Sequence, residues 1–141
     1  MRVLIIEDEK RLASNIASSL RESAGYAVDC VFDGEEGLYM AKSNPYDLVV
    51  LDLMLPRIDG QLVLERLRKA GTPSPVLVLT ARDERQSVIS LLNAGADDYV
   101  TKPFYLGELI SRAKALIRRG NGRSSSALQV RDVEIDTAKR Q

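Results

Sequence analysis

Glu7, Asp8, Asp52, Thr80 and Lys102 are the residues whose types could do chemistry together. Asp52 is the hardest to explain by structure alone, because it sits in "LVVLDLMLPRIDG" (48–60), an otherwise apolar run. A carboxylate buried in such a run must be paired, neutralised or bound to a cation. If the strands carrying these residues end side by side, Glu7, Asp8 and Asp52 form a cluster of anions that repel one another. A hard divalent cation relieves that repulsion, and oxygen-only ligands with room for water favour Mg²⁺ over zinc or copper. A phosphate could complete the shell of such an ion, with the Lys102 ammonium neutralising its oxygens and the Thr80 hydroxyl donating to it. Asp52 could then act as a nucleophile and accept the group as an aspartyl phosphate. Singly, each residue has a plainer reading: Asp8 as a cap of the first helix, Thr80 or Asp83 as a cap of the fourth, Lys102 as a turn residue before Pro103.

Composition narrows the chemistry further. The chain has no histidine, which removes Ser-His-Asp and Cys-His catalysis and His-ligated zinc. Cys30 is the only cysteine, so no intrachain disulfide forms, and its place in "YAVDCVF" marks a packed thiol. A formal net charge of +0 gives no global reason to bind nucleic acid or a membrane surface. The apolar run in "MRVLII" is too short for a signal peptide or a membrane span, so a cytoplasmic location without membrane attachment is expected.

The elements that must position these residues are legible from periodicity. Apolar or β-branched runs at 3–6, 26–32, 47–55, 75–81 and 97–104 read as strands. Between them lie segments of helical period, such as Leu12, Ile16 and Leu20, or Leu109, Ile110, Ala113, Leu116 and Ile117. Strand and helix alternate five times, and "VLII" and "VLVL" are apolar at consecutive positions. Both features predict a parallel, doubly wound α/β sheet covered by helices on both faces. In such sheets functional groups gather beyond the carboxyl ends of the strands, where the five residues fall. After the last helix, "RRGNGRSSS" (118–126) reads as a flexible linker, and "ALQVRDVEIDTAKRQ" as two short strands opening a second domain.

The blocks "LIIEDEKRL", "DLVVLDLMLPRIDG", "VLVLTAR", "GADDYVTKPF" and "ELISRAKALIRR", in that order over residues 2–119, resemble the receiver domains of bacterial two-component response regulators of the OmpR/PhoB family. The resemblance implies a flavodoxin-like, five-stranded sheet of order 2-1-3-4-5. It implies that Asp52 takes a phosphoryl group from a phosphohistidine of a sensor histidine kinase. Glu7, Asp8, Asp52 and the Met54 backbone carbonyl match the Mg²⁺ ligands, Thr80, Ala81 and Lys102 the phosphate contacts, and Pro103 the position of a cis peptide. Thr80 and Tyr99 match the hydroxyl and aromatic switch pair. The fourth helix, fifth strand and fifth helix match a phosphorylation-driven homodimer face with Val88, Asp97, Asp98, Glu108, Arg112 and Arg119 at its interface positions. Val88 departs from the family, which usually carries a basic residue there to meet Glu108, and Arg85 one turn earlier could substitute. The implied organisation is a receiver domain over 1–119, a linker over 120–126, and over 127–141 the cut-off start of a winged-helix domain through which promoter DNA would be bound.

Two other readings compete. One is a Mg²⁺-dependent phosphohydrolase with an aspartyl intermediate, but such enzymes place a second acid two residues after the nucleophile, where this chain has Met54. The other is a flavin or nucleotide carrier, but the loop after the first strand, "EDE", has no glycine and repels phosphate. The chain is therefore expected not to be an enzyme beyond its own phosphorylation and slow dephosphorylation.

Overall fold

The structure, a computed structural model, describes residues 1–81 and 85–129, except for the side chains of 85–87 and 121–129. Five strands, β1 (Arg2–Ile6), β2 (Ala27–Val31), β3 (Leu48–Asp52), β4 (Val76–Thr80) and β5 (Asp98–Thr101), pair in parallel in the order β2-β1-β3-β4-β5. This is the sheet expected from the sequence. The strands β3 and β4 are buried along their whole length, which is why their sequences are apolar at consecutive rather than alternate positions. The edge strands β2 and β5 each keep polar, half-exposed residues such as Asp29 and Asp98.

Among the described residues five helices cover the two faces: α1 (Lys10–Ala24), α2 (Gly34–Ser43), α3 (Gly60–Lys69), α4 (Arg85–Asn93) and α5 (Leu106–Gln129). Strand alternation divides the core in two. Val3, Ile5, Val50, Leu77, Leu79 and Val100 pack with α1 and α5, through residues such as Ile16, Leu20, Leu109 and Leu116. Leu4, Ile6, Val49, Leu51, Val76 and Val78 pack with α2, α3 and α4, through Ala41, Leu64, Leu67 and Leu91. The helix boundaries follow local chemistry. The Asp33 and Asp59 side chains cap α2 and α3 by accepting from the Glu36 and Leu62 N–H groups at 2.8 and 3.1 Å. Gly25, at φ 70, ends α1.

Sequence expectations shift at several element ends, with strand over 98–101 only in the run 97–104. The run 47–55 gives strand only to Asp52, because the chain then turns and Gly60 N–H donates back to the Leu53 carbonyl at 2.9 Å. The helix α5 continues to Gln129, so helical backbone replaces the irregular linker expected over 120–126 and the first residues expected as strand. Once a helix is nucleated and docked, each further residue adds a hydrogen bond, and a serine or glycine opposes this by only about 0.5–1 kcal/mol. The rest of the expected second strand pair, 130–141, lies outside the described residues.

Close backbone approach dictates the glycine at position 60. A Cβ on Gly60 would meet the Asp52 carbonyl oxygen and come within 2.6 Å of the Leu53 Cα. Gly107, in the first turn of α5, has open space around it. Gly60→Ala is therefore expected to destabilise the fold by about 1–3 kcal/mol, whereas Gly107→Ala is neutral or stabilising by up to about 1 kcal/mol. Denaturant midpoints of the two variants check this.

Candidate functional site

The backbone brings the carboxyl ends of four strands together. Register pairs Ile6 with Leu51, Asp52 with Leu79, and Thr80 with Thr101. The ladder then runs one bond further at three places: Glu7 N–H to Val31 O (3.1 Å), Leu53 N–H to Leu79 O (3.1 Å) and Lys102 N–H to Thr80 O (2.7 Å). Alternation decides which side each residue serves. Glu7, Asp52 and Lys102 continue the positions that face α1 and α5, whereas Thr80 and Tyr99 fall on the other parity, with Tyr99 packed on the core beneath α4.

Glu7 and Asp52 are 1% and 2% exposed, so both carboxylates have lost nearly all their water. Lys102 compensates for part of this loss. Its Nζ lies 3.2 Å from Glu7 Oε1 and 3.3 Å from Asp52 Oδ2, bridging the two. The other oxygens accept from backbone: Glu7 Oε2 from the Glu9 N–H at 3.0 Å, Asp52 Oδ1 from the Met54 N–H at 3.2 Å. Asp8 is exposed, and one carboxylate oxygen each of Glu7, Asp8 and Asp52 lie within 4.8 Å of one another. The plainer reading of Asp8 fails, because the residue at the cap of α1 is Glu9 and it makes no side-chain cap bond.

Electrostatics follow from this packing. Burial, reinforced by the Asp52 charge, pushes the Glu7 carboxyl up to about 7, against the lowering effect of the Glu9 N–H and Lys102. Burial pulls the Lys102 ammonium down, but Asp52 and Glu7 outweigh it and hold the group above its ordinary value. Thr80 closes β4, buried, and Ala81 after it is exposed. The Lys102–Pro103 peptide is cis. A cleft of 780 Å³ opens beside Asp8, walled by the β3–α3 loop, including Met54 and Pro56, and by Gln61 and Leu62 of α3.

Asp97, Asp98, Glu108, Arg112 and Arg119 each have a partner within the chain. Arg112 Nη1 reaches both Asp98 oxygens at 3.0 and 3.1 Å, and its Nη2 lies 3.2 Å from Glu108 Oε2. Asp97 Oδ2 instead accepts from Arg68 Nη2 and the Val76 N–H, both at 2.8 Å. Arg119 Nε donates to its own helix at Ala115 O, 3.4 Å. Val88 is half-buried on α4, and the side chain of Arg85 lies outside the described residues. Sequence reasoning missed Arg68, which also donates to the Gly95, Thr72 and Ser74 carbonyls and so ties the end of α3 to the entry of β5. Nothing in its sequence neighbourhood signals that role.

Comparison with known proteins agrees with this geometry. The family model of the response regulator receiver domain matches residues 3–114. Transcriptional activator protein IrlR of Burkholderia pseudomallei (strain K96243) is 47% identical over 140 residues, 99% of this chain and 60% of that relative. The chain thus spans about three fifths of the length of such curated relatives. Among solved structures, the Francisella response regulator 1452 receiver domain is 40% identical, with a TM-score of 0.80 over 84% of this chain and 97% of that one. The receiver domain of the sensor histidine kinase PA1611 from Pseudomonas aeruginosa PAO1, solved with a magnesium ion coordinated in its active site cleft, is 29% identical, with a TM-score of 0.71 over 83% and 97%.

The Glu7 shift predicts a pH signature in metal-free protein. Its folded-state value lies above that of the unfolded chain, so the carboxyl favours folding fully below about pH 4.5 and loses that contribution as pH rises through about 7. Glu7→Gln, which cannot ionise, is expected to gain about 1–2 kcal/mol over the unaltered protein at pH 8 relative to pH 5. Paired denaturation curves in chelator at the two pH values measure this difference.

Proposed function

This chain belongs to the response regulator receiver domain family, and from that premise we propose that Asp52 is its phosphoacceptor, charged by a sensor histidine kinase to control transcription. The observation that carries the reading is the Lys102 ammonium held between two buried carboxylates, 3.2 Å from Glu7 and 3.3 Å from Asp52. An Asp52 oxygen attacks the phosphorus of the donor's phosphohistidine, the P–O bond forms, the P–N bond breaks, and the electron pair leaves with the imidazole nitrogen. Lys102 meets the charge of the arriving phosphoryl oxygens, and the Ala81 N–H and Thr80 hydroxyl donate to them.

Glu7, Asp8, Asp52 and the Met54 carbonyl would hold Mg²⁺, which when bound neutralises the phosphoryl oxygens during transfer. The donor set suits that ion: it is all oxygen, and the exposed Asp8 leaves a side open for water. The phosphohydrolase alternative finds no support, since Met54 stands where such an enzyme needs a second acid.

Thr80 and Tyr99 form the switch. Phosphorylation adds roughly −1.5 to −2 charge, by analogy with phosphorylated hydroxyls. That charge draws the Thr80 hydroxyl, vacating space into which the half-exposed Tyr99 ring turns. The readout is a homodimer through α4, β5 and α5 involving Val88, Asp97, Asp98, Glu108, Arg112 and Arg119. On this reading the receiver unit spans 1–119, and the effector, a winged-helix domain expected from 127 by sequence, begins after α5 ends at Gln129 and carries promoter recognition. No helix among the described residues is long and apolar enough to cross a membrane, which is compatible with a cytoplasmic setting.

Two experiments test this reading. Acetyl phosphate with Mg²⁺ should add the mass of one phosphoryl group to the protein, and Asp52→Ala should abolish the gain; rapid multiple turnover of phosphomonoesters would point to the hydrolase instead. Sedimentation with beryllofluoride and Mg²⁺ should convert monomer to dimer. An unchanged monomer would count against the dimer switch.

A further inference from the structure

Arg57 is the one non-glycine among the described residues with a left-handed backbone, at φ 71. The Ile58 N–H donates across it to the Pro56 carbonyl at 2.9 Å, closing a γ-turn of the positive-φ kind, which is rare and strained. Strain of this sort persists only where surrounding contacts hold it, and it concentrates at functional sites. Here the contacts come from the start of α2. Arg57 Nε lies 3.8 Å from Asp33 Oδ2 and its Nη1 lies 3.5 Å from Glu35 Oε1. Beneath the side chain, the Gly34 N–H donates to the Pro56 carbonyl at 3.2 Å, and a Cβ on Gly34 would collide with the Ile58 carbonyl oxygen. The β3–α3 turn is thus fastened to α2 by backbone and side chain alike. At its other end the same loop carries Met54, whose N–H is bonded to Asp52.

We infer that Arg57 is a positioning residue for the metal site: by pairing with Asp33 and Glu35 it holds the strained β3–α3 turn against α2, and so fixes the loop from which Met54 lends its carbonyl. This inference rests on the Mg²⁺ assignment above. It is distinguishable from a simple charge effect by sign. A guanidinium acting only through its charge repels a cation, so removing it would tighten Mg²⁺ binding; a guanidinium that positions the loop does the opposite.

Calorimetric titration of the 141-residue protein with Mg²⁺ at low ionic strength reads this directly. Arg57→Ala should weaken binding by about tenfold, the lower end of what residues orienting a metal ligand contribute. Arg57→Lys should bind within about twofold of the unaltered protein, since it keeps a cation for Asp33 and Glu35. Arg57→Gly should bind as weakly as Arg57→Ala yet melt about 4 °C higher than it, because glycine adopts the positive φ without strain. That combination separates positioning from a general loss of structure. Mg²⁺ binding by Arg57→Ala or Arg57→Gly as tight as that of the unaltered protein, or tighter, overturns the inference. If Asp8→Asn then still weakens Mg²⁺, the metal assignment stands and only the role of Arg57 falls; no binding by the unaltered protein sinks both.

Discussion

Two buried carboxylates sharing one ammonium set the terms for the carboxyl end of the sheet. Glu7 and Asp52 have almost no contact with solvent, and among the described residues Lys102 is the cation that reaches both. One positive charge cannot fully compensate two desolvated negative ones, which is why the Glu7 carboxyl rises to about 7 rather than falling as an ion-paired acid would. The arrangement is tolerated because it lies at the mouth of the sheet, not in its middle. Each carboxylate keeps a backbone N–H on its second oxygen, from Glu9 and from Met54, and the neighbouring Asp8 is open to water.

The sheet places these groups without any special local device. Parallel strands β1, β3, β4 and β5 stack in register, and the ladder extends one bond beyond β1, β3 and β5 into Glu7, Leu53 and Lys102. Side-chain alternation then does the sorting. Residues that continue the α1–α5 face become the charged cluster, and those of the opposite parity, Thr80 and Tyr99, face the core under α4. The same two-residue period that builds two separate cores therefore separates the groups that hold charge from the groups proposed to sense it.

Much of this was legible in the sequence because burial on both faces leaves an unmistakable record. The runs "VLII", "LVVL" and "VLVL" tolerate almost no polar residue, so Asp52, Glu7 and Thr80 stand out at the ends of apolar stretches, and all three lie where expected. What escaped was set by contacts remote in sequence. Nothing near Arg68 foretells that it bonds Gly95 and Asp97, 27 and 29 residues on, and nothing near Arg57 foretells its pairing with Asp33 and Glu35. Asp97 shows the same limit, since nothing in its sequence block foretells that its Oδ2 accepts from Arg68 and the Val76 N–H. The extent of α5 escaped for another reason, since serine and glycine lower helix propensity but do not stop a helix already nucleated.

Charge balance explains why the site would act as a switch rather than a store. Among the described residues three carboxylates gather at this strand end with the Lys102 ammonium, so a phosphoryl group on Asp52 brings further negative charge to a place already rich in it. On the proposed reading, part of that excess is met by a bound divalent ion and part by the Thr80 hydroxyl at the end of the neighbouring strand. Thr80 belongs to the opposite parity from Asp52, so any movement of its side chain toward the phosphoryl group withdraws it from the α4 side. Tyr99 is half-exposed on that same side and packed against the same core, so it is the group with both the freedom and the contacts to respond. Beyond it, Asp98 and Glu108 both depend on Arg112 for their neutralisation. A displacement of Tyr99 next to Asp98 would therefore alter that triad, and local charge at one strand end becomes a change of surface charge at the edge of the sheet.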